Sequence, residues 1–310
     1  MDISVIVCTW NNSGRLEITL DAIAKCIIPE KVKWEIILIN NNCTDNTDYI
    51  ASKFANSLPL RYVKELHSGK SFALNRALAI SCGKLIIFGD DDIRPCKEWI
   101  CEYWFAYKRK AQGYYFGGPL ESEFENQEIS SELTKYAPPS VRGLDWGGNE
   151  HCLSSGEYFV GANWACPLEY LRVVGGFDVS KNYIGGEERI KLGEDTNIMK
   201  RLIESGFSPW YLPKAKVSHY VPSHKISLRH IAERRRAYGY YVGEHDTFKQ
   251  CPCITGIPRW MYKKLFILWT KWILAKLQRK KGYEFYLGFQ ELLGNMKGIR
   301  DNLAKQHSNI

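Results

Sequence analysis

The feature that most limits how this chain can fold is an alternation of short apolar runs with helix-patterned segments across its first hundred residues. Ile3–Cys8, Trp34–Ile39, Leu60–Lys64 and Leu85–Phe88 have strand length, and Arg15–Lys25, Asn46–Phe54 and Ser71–Ser81 between them have helical character. Near-continuous apolar strands are buried on both faces, and strand–helix alternation points to a mostly parallel sheet with helices on each side. Ligands of such sheets bind beyond the C-terminal ends of the strands. Three polar loops are expected to meet there: Thr9–Asn12, Asn40–Asp45 and Asp90–Asp92.

The third loop carries most chemistry. Asp90, Asp91 and Asp92 leave the end of the run Leu85–Phe88 together. Three adjacent carboxylates repel one another unless a cation offsets them, and oxygen ligands suit Mg²⁺ or Mn²⁺. A hard cation held by one or two carboxylates commonly takes phosphate oxygens as its other ligands, so a metal–diphosphate site is one reading of the triplet. The other is an acidic surface turn.

The 310 residues allow one large α/β domain, or one domain with an appended part. Met1-Asp2 runs directly into the first strand without a signal-peptide pattern, and no stretch is long and uncharged enough to span a bilayer. The ten cysteines are scattered without paired metal spacing, which reads as reduced thiols. The net charge is +8, and the segment Arg259–Lys281 holds eight Lys/Arg and no acid, equal to the whole excess. The remainder is nearly neutral, which argues against a nucleic-acid-binding protein.

Residues 99–222 read as a second half. Trp99–Ala111 is expected as a helix, Tyr114–Gly118 as a strand, and Gln127–Asn149 as a Pro/Gly-rich excursion. Tyr158–Trp164 reads as a strand, Leu168–Val174 and Glu194–Ser205 as helices, and Trp210–Leu212 and Ala215–His219 as short strands. From residue 223 to 310 the chain becomes helical and aromatic, with helices expected at Ser227–Gly243, Pro258–Lys281 and Tyr283–Lys305. In the last, Phe285, Phe289, Leu292, Met296, Ile299 and Leu303 form a seam suited to a core or dimer contact.

Several local patterns, in this order, resemble the family 2 glycosyltransferases of the GT-A fold. They are Val5–Asn12, Ile39–Thr47, Gly69–Asn75, Gly83-Lys84 leading to Asp90–Asp92, Gly161-Ala162-Asn163, Val174–Asp178, and Gly193-Glu194-Asp195. The resemblance covers about residues 3 to 221. It implies a Rossmann-like nucleotide-binding half over 1–98, an acceptor half over 99–222 and a C-terminal helical extension over 223–310.

The resemblance also implies roles. Asp90 and Asp92 look like the DxD element that brackets Mn²⁺ or Mg²⁺, with Asp90 and Asp91 facing the nucleotide diphosphate and His219 as a third metal ligand or a structural histidine. Asp195, beside Glu194 at a helix start, looks like the base that takes the acceptor proton; the plain alternative is charge complementation of the helix N-terminus. Glu187 and Glu188 form a second-ranked acidic pair. Nucleotide contacts are expected from Thr9, Asn11, Asn41 and Lys70, with Asn75 nearby. Asn163 and Trp164 are expected to face the donor sugar or acceptor, with Trp164 equally placed as core. Arg234-Arg235-Arg236 reads as a phosphate contact or a solvated helix face. Asn40 departs from the aspartate common in the family, which implies a changed base or ribose contact.

The implied activity is metal-dependent, inverting transfer of a sugar from a nucleotide-sugar, a UDP-sugar by preference, to a glycan or glycolipid hydroxyl. A nucleotidyltransferase would instead carry a Gly-rich, Arg/Lys-bearing loop where Thr9–Asn12 stands, and a non-catalytic glycan-binding module would not need all three aspartates with Asp195. Trp260, Tyr262, Phe266, Trp269 and Trp272 beside the cations of 258–281 suggest contact with a membrane surface, peripheral and cytoplasmic. The other reading of these helices is inward packing or a homodimer.

Overall fold

The computed structural model describes residues 1–110, 112–126, 131–179, 193–245 and 251–308. Glu187 and Glu188 lie outside the described residues. The described residues form two compact units: one from residues 1–110, 112–125, 142–179 and 193–221, the other from 126, 131–141, 222–245 and 251–308. Residues 131–141 thus cluster with the C-terminal helices rather than with the sheet.

In the first unit the chain runs β1 (Ile3–Thr9), α1 (Ser13–Ala24), β2 (Trp34–Asn40), α2 (Thr47–Phe54), β3 (Leu60–Lys64), α3 (Lys70–Ile80), β4 (Leu85–Asp90), β5 (Ile93–Pro95) and α4 (Trp99–Arg109). β6 (Tyr114–Gly117) and β7 (Leu120–Phe124) follow; the two helical turns next in the chain, α5 (Ser131–Thr134) and nearly all of α6 (Pro139–Arg142), belong to the second unit. β8 (His151–Cys152), β9 (Asn163–Pro167), α7 (Leu168–Val173), α8 (Glu194–Glu204), β10 (Ser208–Tyr211) and β11 (Val217–Val221) complete the first unit. The main sheet has eight strands in the order β3-β2-β1-β4-β9-β6-β10-β8. The first four are mutually parallel, and β9 is antiparallel to both β4 and β6.

The apolar strands are uniform because both faces are covered. Val5 and Val7 pack with Leu16, Leu20 and Ile23 of α1, whereas Ile6 between them packs with Ala73, Leu74 and Ala77 of α3. Register then aligns the loops. Thr9 pairs with Asn40 and Cys8 with Asp90, so the chain leaves β1, β2 and β4 at one height.

Two expectations need correction. The strand expected at Tyr158–Trp164 begins at Asn163 instead, because the chain turns over Gly161-Ala162 with Asn163 N–H bonded to the Val160 carbonyl at 3.0 Å. A second sheet of order β5-β11-β7 was not expected from the sequence. Its short edges, Ile93–Pro95 and Leu120–Phe124, carry little apolar signal of their own. It matters because β11 pairs His219 with Ile93, next to Asp92.

The second unit contains α9 (Leu228–His245), the hairpin β12 (Cys253–Ile254) and β13 (Ile257–Pro258), α10 (Arg259–Leu277) and α11 (Tyr283–Ser308). α9 and α11 touch backbone to backbone. A Cβ at Gly239 or Gly243 would overlap the carbonyls of Glu291 or Asn295, and one at Gly294 or Gly298 those of Arg236 or Tyr240. Small residues four apart on both helices permit this approach. The apolar seam lies on another face of α11, where Leu292, Met296 and Ile299 are buried with Ile257 and Met261. It is a core contact within the chain.

Candidate active site

β4 ends at Asp90, and the next two aspartates alternate in direction. Asp90 Oδ1 accepts a 2.8 Å hydrogen bond from Lys70 Nζ at the start of α3. Asp92 Oδ1 lies 3.2 Å from His219 Nε2. Asp91 turns the other way and accepts from Asn12 Nδ2 at 2.9 Å, which ties the triplet to the β1 loop. Burial pushes the Asp91 carboxyl up to about 7, with Asp92 and Asp90 adding to the rise and bonds from Thr9 and Asn12 opposing it. Asp91 is thus placed as a tether, and Asp90 and Asp92 face the crevice.

Asp90, Asp92 and His219 each offer a ligand atom within 4.8 Å of the others. Metal–ligand distances of about 2.0–2.2 Å put two ligands of one cation up to about 4.4 Å apart, so modest closure completes this set. The donors are hard oxygens plus an imidazole, a combination that suits Mn²⁺ or Mg²⁺ with phosphate and water filling the remaining positions. His219 is buried and its Nδ1 has no hydrogen-bond partner. These residues fit a divalent cation.

The same crevice holds the second carboxylate group. Lys70 Nζ is 3.8 Å from Asp195 Oδ2 and 3.9 Å from Glu194 Oε1. One ammonium cannot balance Asp90, Glu194 and Asp195, which is a further reason for a divalent cation to be favoured here. Burial, with Glu194 and Asp90, raises Asp195 to about 7 against the opposing effect of Lys70. Burial works against the Lys70 charge, but Asp90, Asp195 and Glu194 together hold its pKa well above the usual lysine value. α8 starts at Glu194 directly after Gly193, whose left-handed φ of 100° suits a glycine.

Gly161 belongs to the Gly161-Ala162-Asn163 motif, and the structure gives it a specific role. A Cβ at 161 would overlap the Asp195 carboxylate, so the acid reaches the crevice only over a glycine. In sequence it stands as a glycine inside the run expected as a strand at Tyr158–Trp164, a position that marks close approach of another group.

Several polar residues expected at the nucleotide build the crevice walls. Asn11 Oδ1 accepts from Thr44 N–H at 2.7 Å, and Ser13 N–H donates to Asp45 Oδ2 at 2.8 Å, joining the β1 and β2 loops. Asn41 donates to the carbonyls of His67 (2.7 Å) and Glu65 (3.2 Å) and accepts from Gly69 N–H (2.8 Å). Asn75 clasps the backbone of Phe177 in both directions at 2.8 Å. Thr9 is buried at the end of β1. Lys70 is the member of this set whose charge enters the crevice directly.

The Asn40 departure is internal. Its Oδ1 accepts from Cys43 N–H at 2.7 Å, and its Nδ2 donates to Asp48 (3.2 Å) and Tyr62 (2.6 Å). Ionised aspartate there could not donate to Asp48. Asn163 is buried rather than facing a donor sugar or acceptor as expected, and Trp164 takes the core position that was its other reading. Trp164 is fully buried and stacked on Phe88 at 4.4 Å. Asn163 is also fully buried, accepting from Trp99 Nε1 (2.8 Å) and Tyr103 OH (2.7 Å) and donating to the Pro119 and Ala215 carbonyls (2.8 Å each). In the second unit Arg235 pairs with Glu291 at 3.0 Å.

Comparison with known proteins agrees with this geometry. The family profile described as Glycosyl transferase family 2 matches residues 4–159. The chain belongs to that family and is a transferase by class. Its sequence is similar to chondroitin synthase of Pasteurella multocida, with 26% identity over 60% of this chain and 22% of the synthase. It is also 30% identical to the uncharacterized glycosyltransferase YibD of Escherichia coli, over 30% of this chain and 27% of YibD. The chain therefore spans well under half the length of these relatives. In fold it is similar to the mannosyltransferase PcManGT of Pyrobaculum calidifontis, solved with GDP-Man and Mn²⁺, with TM-score 0.58, 18% identity and coverage of 98% and 87% of the two chains. The 1–349 fragment of TarS of S. aureus in complex with UDP gives TM-score 0.53 and 17% identity, with coverage of 99% of this chain and 92% of the fragment. The fold is of the GT-A type, a mostly parallel mixed sheet flanked by helices with a C-terminal helical extension.

Proposed function

We propose that the chain is a metal-dependent, inverting glycosyltransferase that moves a sugar from a nucleotide-sugar to a hydroxyl of a glycan or lipid-linked glycan. The observation that carries this reading is Lys70, 2.8 Å from Asp90 and 3.8 Å from Asp195, which ties a cation-type cluster and a protonatable carboxylate to one crevice. Asp195 takes the proton of the acceptor hydroxyl as its oxygen attacks the anomeric carbon from the face opposite the diphosphate. The new C–O bond forms, the bond to the diphosphate breaks, and its electron pair leaves on the diphosphate oxygen. Direct displacement of this kind inverts the anomeric carbon. A pKa of about 7 suits a base working near neutrality. Asp90, Asp92 and His219 would hold Mn²⁺ or Mg²⁺, which supplies charge neutralisation for the leaving diphosphate. Lys70 adds a positive charge at the same place.

The donor proposed is a UDP-sugar, in line with the nucleotide in the TarS complex, although the PcManGT complex carries GDP-Man. Similarity to chondroitin synthase supports a polysaccharide-type acceptor, such as an envelope glycan. The test is incubation with Mn²⁺ and a panel of UDP- and GDP-sugars, scoring release of the nucleoside diphosphate and transfer to glycan acceptors. Donor turnover that persists in EDTA and in Asp92→Ala would sink the metal assignment. Turnover of no nucleotide-sugar would sink the reading as a whole.

A further inference from the structure

α10 buries one face and exposes large apolar side chains among cations on the other. At about 3.6 residues per turn, Met261, Leu265, Leu268, Trp272 and Ala275 fall on one side. That side is covered: Met261 and Ala275 are buried, and the Trp272 ring lies 5.2 Å from Tyr286 of α11. The opposite side carries Arg259, Lys263 and Thr270 together with Phe266, Leu274 and Leu277, the last three 64%, 55% and 75% exposed. A surface helix ordinarily sets a polar stripe opposite its buried one, and here that stripe mixes cations with large apolar side chains. On its flanks stand the exposed rings of Trp260, Tyr262 and Trp269 with Lys264, Lys271 and Lys276.

The charge decides what fits this face. No acid occurs between Arg259 and Lys281. A second copy of the chain, meeting it about a two-fold axis, would oppose one basic helix to another. An anionic lipid surface complements the lysines, seats Trp and Tyr at headgroup depth and receives the outer apolar side chains. No helix among the described residues is long and apolar enough to cross a membrane. We propose that α10 lies in the headgroup plane of an anionic bilayer, with Phe266, Leu274 and Leu277 in the acyl boundary and the flanking lysines on lipid phosphates.

The full chain is sedimented with phosphatidylcholine vesicles, with and without roughly one-third phosphatidylglycerol. Binding is expected only with the anionic lipid and weakens as salt is added. Combined Phe266→Ser, Leu274→Ser and Leu277→Ser lowers the partition coefficient by roughly tenfold or more. Lys263, Lys264, Lys271 and Lys276 all changed to Gln abolish the preference for phosphatidylglycerol. Quenching of the wild-type tryptophans by brominated lipid gives a readout that needs no variant. Absence of both sedimentation and quenching in the wild type overturns the proposal. So does unchanged binding by both variants, or a solution dimer that the serine substitutions dissociate.

Discussion

Asp195 is held where ionisation is unfavourable, so replacing it should stabilise the fold while removing activity. Its carboxyl is raised from 3.8 to about 7 in the folded state, chiefly by burial and by Glu194 and Asp90. Between those values the folded state holds a proton that the unfolded chain has released, so stability falls as pH rises through the window and levels off above 7. At 1.36 kcal/mol per pH unit the full effect is about 4 kcal/mol. The side chain keeps 18% exposure, and solvent relaxation in the crevice reduces the effect to about 2–3 kcal/mol. Asp195→Asn, which keeps the shape and discards the charge, should therefore be more stable at pH 8 by that amount. For a unit of this size the gain is roughly 4–12 °C in melting temperature. Thermal melts in chelator at pH 5, 6, 7 and 8 make the measurement. The difference between variant and wild type should be largest at pH 7–8 and shrink toward pH 4. An offset that does not vary with pH, or a variant less stable at pH 8, refutes the electrostatic account. Transfer by the same variant should fall by about 10²–10⁴-fold.

Other perturbations separate positioning from folding. Gly161→Ala forces the Asp195 carboxylate out of place and should lower kcat at least about tenfold while nucleotide affinity, read by calorimetry, stays within about twofold. Asn163→Ala strands two buried donors and two carbonyls and should destabilise by about 2–4 kcal/mol in urea titration; a change below about 0.5 kcal/mol would mean water replaces the amide. Asp92→Ala should abolish Mn²⁺-dependent binding of the nucleoside diphosphate, and EDTA should reproduce that loss in the wild type. Gly243→Val should separate the α9–α11 backbones and expose the helices to limited proteolysis; wild-type resistance would show that the pair tolerates a wider spacing.

Much of the first unit was legible because its signals are local. Continuous Ile, Val and Leu runs mark strands buried on both sides, and the helical segments between them leave few ways to connect parallel neighbours. The Asp90–Asp92 cluster was legible too, because three acids directly follow one apolar run, while the turn at Asp91-Asp92 set their separate directions. Polarity in loops is harder to read. Asn11, Asn41 and Asn75 stand out in one dimension as candidate ligand contacts, and only the structure shows that their amides also join loops that lie far apart in sequence. Asn163 and Trp164 follow the same logic: a polar residue or an aromatic beside a site motif does not say whether it points outward or into the core.

The sequence by itself determined the family, the parallel sheet and the candidate acids, because each rests on residue order within one short segment. Tertiary structure alone decided how those acids are placed. His219 reaches Asp92 only through a second sheet that its short strands do not announce, and Asp195 reaches Lys70 only over the bare backbone of Gly161. The two glycine pairs that let α9 and α11 touch were likewise invisible as a contact until both helices were placed. Distances between segments far apart in the chain depend on register and packing, and no local pattern encodes them.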